Sequence, residues 1–283
     1  MLVASTAGAQ TVLQLPASTR ALGVGNAFVA GRGSEMIFYN PAMLSQQPGL
    51  NVSAHRFGDA STLGAVSSSF SAGPIAAGVG AQYLNYAVSN GIQTQDLATR
   101  GNEPSSSLVG SLGLASTVKG VRVGIAAKFL EERIGMVRDA TPAFDLGLAR
   151  DFSFRTTIGI AVQNLGPSLH LNGNGIGLPQ QTTLGAAAFA PPLFTFFDVA
   201  ATAAVTYRHD GNWEPAGGLE VTYVPLDGWS FTARAGARSV AHDFGAKPLT
   251  LGAGMGFDRI GLDYAWHAMD GDASAHRIGL RLR

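Results

Sequence analysis

From Val121 the chain alternates with a period of two. The even positions Arg122, Gly124, Ala126, Lys128 and Leu130 are mostly polar or small, and the odd positions Val121, Val123, Ile125, Ala127 and Phe129 are apolar. The pattern returns at 231–238, where Phe231, Ala233, Ala235 and Ala237 oppose Thr232, Arg234, Gly236 and Arg238, and again at 260–267 and 278–283. Successive strand side chains point to opposite faces, so each segment has one oily face and one polar or small face. A soluble sandwich would enclose the oily faces in a core. An outer-membrane barrel turns them to lipid and lines its lumen with the other face. The second arrangement is expected here: an all-β fold, a transmembrane antiparallel β-barrel of about fourteen strands.

The expected strands are 49–57, 62–70, 75–86, 107–118, 121–133, 143–150, 154–163, 182–189, 195–207, 214–224, 229–240, 249–257, 260–267 and 275–283. Most approach the length a tilted strand needs to cross a bilayer. Their connections alternate. Every second one is short, as at Lys119-Gly120 and Asp258-Arg259, and the others run longer, above all 87–106 and 164–181. Short turns on one side and long loops on the other predict a barrel in the bacterial outer membrane with both termini periplasmic. Outer-membrane lipid is the expected surrounding. Aromatic residues near strand ends (Tyr83, Tyr223, Trp229, Tyr264, Trp266) suit an interfacial girdle.

Three zones follow. Residues 1–9 end in Ala7-Gly8-Ala9, a small-x-small pattern that reads as the remnant of an export signal. Residues 10–48 lack alternation, and 49–283 form the barrel. Glycines such as Gly252, Gly254 and Gly256 occupy inward positions, where they either leave space or let another backbone pack closely. The second use predicts that 10–48 folds into the lumen as a hatch. Gly78 and Gly80, just after Pro74, are placed to bend the third strand.

Only 13% of residues are charged and the net charge is zero, which argues against nucleic-acid binding. No run of about 18 apolar residues reads as a spanning helix. The most apolar stretch, 186–205, contains Pro191 and Pro192, which split it into two strands. The lumen-facing charges are Arg122, Lys128, Asp145, Asp198, Glu220, Arg234, Asp263, Arg277 and Arg281. Opposite signs among them are expected to pair across the wall or against the hatch. No catalytic or metal site is expected. The histidines (His55, His170, His209, His242, His267, His276) are scattered without ligand spacing, and no nucleophile elbow or phosphate loop occurs. A serine and a histidine on neighbouring strands facing lipid, the arrangement of barrel-borne hydrolases, is likewise not expected.

The segment Leu22-Gly23-Val24-Gly25-Asn26-Ala27-Phe28-Val29-Ala30, followed by Phe38-Tyr39-Asn40-Pro41-Ala42-Met43-Leu44, resembles the hatch signature of the FadL superfamily, and more closely its PorV/PorQ branch. Gln163-Asn164-Leu165-Gly166 with Leu178-Pro179, and Asp263-Tyr264-Ala265 with His276-Arg277-Ile278, resemble further family segments in the same order. Met43 stands where the family usually has glycine, and Arg283 where such barrels usually end in an aromatic residue. The resemblance implies a fourteen-stranded barrel with Gly23, Gly25, Asn40, Pro41 and Ala42 in its hatch motif. It implies no enzyme and no cofactor. A PorV-like member would work with type IX secretion, binding secreted cargo or other envelope proteins; this is the first functional expectation. The alternative is a FadL-like passive channel for hydrophobic small molecules, in which a third-strand kink opens the wall sideways.

Overall fold

A computed structural model describes residues 11–57, 61–86, 105–152, 155–190, 196–239, 246–269 and 274–283. The export-signal remnant, most of the connection 87–106, the Pro191-Pro192 turn and His242 lie outside the described residues.

The chain first forms three single-turn 3-10 segments, Thr11–Leu13, Ser34–Phe38 and Pro41–Met43, and a short helix α1 (Thr19–Gly23). Strands follow: β1 (Gly49–Phe57), β2 (Ser61–Ala72), β3 (Ile75–Tyr86), β4 (Ser105–Val118), β5 (Val121–Ile134), β6 (Val137–Phe152), β7 (Thr156–Leu165), β8 (Leu169–Leu171), β9 (Asn174–Ile176), β10 (Gln181–Phe189), β11 (Phe197–Arg208), β12 (Trp213–Leu226), β13 (Trp229–Arg238), β14 (Ala246–Phe257), β15 (Ile260–Met269) and β16 (Ser274–Leu282). Fourteen close into one antiparallel barrel, in which each strand pairs with its sequence neighbours, β7 pairs with β10, and β16 returns to β1. Closure runs from Leu50 opposite Leu282 to Phe57 opposite Ala275. Short β8 and β9 form a separate hairpin within the connection between β7 and β10.

The alternation of faces is the one expected. On β6, Phe144, Leu146 and Leu148 are exposed, and Asp145 between them is fully buried. On β4 the outward Leu112 is 65% exposed, one of a band of outward Leu, Ile, Val and Phe side chains that suits a hydrocarbon surrounding. Each large outward side chain left in water would forgo about 1.5–3 kcal/mol of apolar transfer.

The sixth strand departs from expectation. It begins at Val137, not 143, so the fifth connection shrinks to the turn Gly135-Met136 and is no longer than its neighbours. Thr141 and Pro142 lie inside β6, Pro142 opposite Phe129 of β5. Pairing with β7 starts only at Phe144, after which a bulge intervenes before Leu146. A proline lacks the N–H of one ladder bond, and a stretch paired on one side alone tolerates that.

Candidate functional site: the lumen and the N-terminal segment

Residues 11–44 are almost wholly buried, against the inward side of the strands. Helix α1 starts at Ser18, whose Oγ accepts from Ala21 N at 3.4 Å. It ends in a left-handed turn: Gly25 (φ 68°) and Asn26 (φ 63°) let Asn26 N donate to Ala21 O at 2.7 Å. Gly25 N also donates to Thr250 Oγ1 on β14, at 3.1 Å. A Cβ on Gly25 would sit 2.6 Å from the Ala237 carbonyl oxygen, so both backbone conformation and space demand glycine there.

The inward glycines of the wall are the matching surface. A Cβ on Gly236 would lie 2.1 Å from Gly25 N, one on Gly218 2.6 Å from Val24 Cα, and one on Gly124 2.3 Å from Ala42 N. Gly23 lies against Gly252 backbone to backbone. Gly254 instead leaves room for the Arg234–Asp263 pair, and Gly256 abuts Ser230. Gly78 and Gly80 serve the same close packing: added Cβ atoms would meet Leu44 and Phe38 at 2.6 and 2.7 Å. The pairing of β3 with both neighbours is continuous through these glycines, and Pro74 sits in the β2–β3 turn.

Asn40 caps the Pro41–Met43 turn. Its Oδ1 accepts from Ala42 N at 3.1 Å, and its Nδ2 donates to Val29 O at 2.9 Å and to Leu148 O on β6 at 3.3 Å. Pro41 follows at the first helical position, where a missing N–H costs nothing. One fully buried side chain thus ties two parts of the segment to each other and to the wall.

The inward charges separate into groups. Arg234 bonds Glu220 and Asp263 (2.8 Å to the latter), Arg281 also bonds Asp263, and Arg20 of α1 approaches Glu220 at 3.4 Å. Lys128 meets Asp145 at 2.6 Å and Asn164 Oδ1 at 3.0 Å; Asp145 also accepts from Asn164 N at 2.8 Å. Gln163 donates from the same neighbourhood to the Phe38 carbonyl at 2.8 Å. Arg122 grips Asp151 with two bonds near the short turns. Arg277, fully buried, donates to the carbonyls of Pro16 and Ala17 and to Ser53 Oγ (2.8 Å). Asp198 has the inward register but is exposed at the mouth beside the short turns.

Residues Arg20, Glu35 and Tyr39 were not among the expected site residues. Glu35 is buried with Ser18 Oγ at 3.4 Å, and burial holds its carboxyl above the usual carboxylate range. Tyr39 OH accepts from Ala17 N (2.9 Å) and Ser18 N (3.1 Å), and burial pushes it up to about 12. Their only sequence signal is polarity inside an otherwise apolar or glycine-rich segment.

Above this packing, toward the longer connections, Val12 joins inward Leu63, Leu84, Val109 and Leu130 and loop residues Leu169 and Leu178 in a buried apolar cluster. Asn164, at φ 61°, helps bring Leu178 there through Nδ2 to Pro179 O at 2.9 Å. An inward apolar collar was not expected; lumen faces had been read as polar or small. Below it, a cavity of about 60 Å³ is lined by polar groups including Gln82, Lys128, Gln163, Thr183 and Arg208. It has room for a few water molecules, and is well below the roughly 150 Å³ of a cavity known to admit benzene. Among the described residues no cluster of three or more His, Cys, Asp or Glu is placed to hold a metal.

The chain matches no protein-family model and no curated protein. It is similar in fold to solved outer-membrane channels. The monoaromatic hydrocarbon channel CymD shares 13% identity over 97% of both chains, with a TM-score of 0.60. The Ralstonia pickettii toluene transporter TbuX shares 14% over 93% of this chain and 97% of its own, at 0.59. A mutant of the monoaromatic hydrocarbon channel TodX shares 12% over 93% and 97%, at 0.58. These likenesses are of fold: the closed β-barrel is an architecture shared with these channels.

Proposed function

We propose that this chain is a FadL-like passive channel for hydrophobic small molecules in the bacterial outer membrane, with residues 10–48 as its hatch and its strand termini periplasmic. The observation that carries the reading is the buried N-terminal segment, seated against inward glycines beneath an apolar cluster. An apolar solute leaving water would gain from such a cluster, and the packed segment below it would keep polar solutes out. The channel neighbours support a hydrophobic solute. These likenesses favour the channel reading over the secretion-associated one.

In this reading passage requires the segment to shift, because residues 11–44 pack against the inward wall and the cavity beside Gln82, Lys128 and Gln163 measures only about 60 Å³. The continuous pairing of β3 favours a route past the segment over a lateral opening in that strand. The test is uptake of radiolabelled toluene by cells with and without the barrel. The reading expects uptake several-fold above the empty-vector strain and no gain for a hydrophilic sugar of similar mass. Equal gains for both, or none for toluene, would contradict it.

A further inference from the structure

On the outer wall, away from the lumen, three side chains form a hydrogen-bonded line. Ser274 Oγ lies 2.9 Å from His276 Nε2, and His276 Nδ1 lies 2.7 Å from Tyr264 OH. Ser274 and His276 are two residues apart on β16, so they share a face. The intervening Ala275 and the following Arg277 are buried on the inward side, which turns Ser274 and His276 outward. Tyr264 stands on β15 opposite Ile278, one outward position along from His276, and is 40% exposed. On the other flank, outward Arg56 of β1 is the register partner of His276. Ser274 opens β16, at the barrel end opposite Gly49 and Leu282, where head groups and ester linkages of a bilayer would lie.

A nucleophile within hydrogen-bond reach of a base, with that base oriented by a third group, is the arrangement of an activated hydroxyl. The distances are compatible with the tautomer the chemistry requires, in which His276 Nδ1–H donates to the Tyr264 oxygen and Nε2 accepts from the Ser274 hydroxyl. We propose that Ser274, His276 and Tyr264 form a lipid-facing serine-hydrolase site that acts on acyl esters of lipids at the bilayer interface. Ser274 Oγ attacks the ester carbonyl while its proton passes to His276 Nε2. The C–O bond to the alcohol breaks, the alcohol departs with that proton, and an acyl-serine remains. Interfacial water then attacks, gives a proton to Nε2, and Ser274 recovers it as the fatty acid leaves. The sum is ester plus water to acid plus alcohol. Tyr264 is a positioning residue, and Arg56 offers a cation beside the site that suits a phosphate-bearing head group. This adds an activity to a barrel whose structural neighbours are channels, and it does not depend on the channel reading, since none of these groups faces the lumen.

The experiment uses the full chain in vesicles of phosphatidylethanolamine and phosphatidylglycerol. A fluorophosphonate probe and release of free fatty acid are read together, with heat-modifiable migration on gels confirming folded barrels. The expected result is a probe adduct mapped to Ser274 and fatty-acid release. In Ser274→Ala and His276→Asn both readouts fall by about 10²-fold or more. Tyr264→Phe keeps the adduct but slows it and changes the pH dependence of its formation, which a packing role alone would leave in place. If the wild type labels Ser274 no faster than the unfolded chain, or releases fatty acid no faster than Ser274→Ala, the proposal is wrong. The line is then an interfacial hydrogen-bond cluster that satisfies its own polar groups against lipid.

Discussion

The two sides of the barrel hold the N-terminal segment by different means. Toward β13–β16, helix α1 is gripped by backbone-on-backbone contacts (Gly25 on Gly236, Gly23 on Gly252), and a buried ion network runs from Arg20 through Glu220, Arg234 and Asp263 to Arg281. Toward β2–β5, Ile37, Phe38 and Leu44 pack on Gly80, Gly113 and Gly78 among buried alanines, and Val12 joins a ring of leucines and valines. The first side is directional: charges and hydrogen bonds tolerate little displacement, and breaking one buried partner strands the other. The second is mainly apolar packing, with the Ala42 backbone against Gly124 and Ser34 Oγ bonded to Ser67 as its directional points, so fewer charged partners are stranded when side chains there shift. If the barrel passes apolar solutes as proposed, the β2–β5 side is the one expected to yield, with β13–β16 as the anchor.

The contrast is open to direct attack. The largest effect is expected from Gly236→Val, whose Cβ would lie 2.1 Å from Gly25 N with only backbone to push against. The segment then fails to seat, residues 11–44 become protease-sensitive in folded barrels, and single-channel conductance rises. Next comes Arg234→Met. It leaves Glu220 and Asp263 with fewer cations and lowers the unfolding free energy by about 3–5 kcal/mol, read from the midpoint of denaturant unfolding in vesicles. Gly80→Ala should do less, on the order of 1–3 kcal/mol, because the added Cβ meets the ring of Phe38 and the Ile37 methyl, which can turn aside. If Gly80→Ala destabilises the barrel more than Arg234→Met, the assignment of anchor and yielding side is reversed.

The smallest effect concerns pH. Burial raises the Glu35 carboxyl above its unfolded value, so the native state favours its neutral form. The stability this contributes is present at acid pH and is lost as pH rises through the folded value. Glu35→Gln keeps a neutral group, so the variant should gain on the wild type at pH 8 relative to pH 4, by less than the changes above. Thermal unfolding at the two pH values checks this. A wild-type advantage that grows with pH would mean that Arg20 holds Glu35 ionised.

How much of this was legible follows from which physics acts locally. The period-two alternation is a property of single strands, so barrel, faces and most strand ends could be read directly; β1 and β3 start and end where expected. The start of β6 at Val137 is six residues ahead of the expected 143; Pro142 lies within the strand, where pairing to β5 alone tolerates its missing N–H. Inward glycines were visible, but whether they leave space or accept a backbone depends on Val24, Gly25 and Ala42 arriving from far away in sequence. Charge pairs such as Arg234 with Asp263 follow from strand order, whereas Arg20 with Glu220 joins residues 200 positions apart. The apolar collar has no period-two signature of its own, because Leu63, Leu84 and Val109 sit on faces otherwise lined by serine, glycine, alanine and glutamine. The outer line of Ser274, His276 and Tyr264 needs the hairpin register before its third member comes into view.

The central claim is that the N-terminal segment sits inside the wall and governs the passage of hydrophobic solutes. The chain has no cysteine, and Ser34 Oγ of the segment lies 3.1 Å from Ser67 Oγ on β2, so Ser34→Cys with Ser67→Cys offers a single cross-link between segment and wall on the side expected to yield. Toluene uptake by cells carrying this double variant should fall to background under oxidising conditions and return on reduction. Full uptake with the disulfide formed, shown by mass spectrometry, would contradict the account.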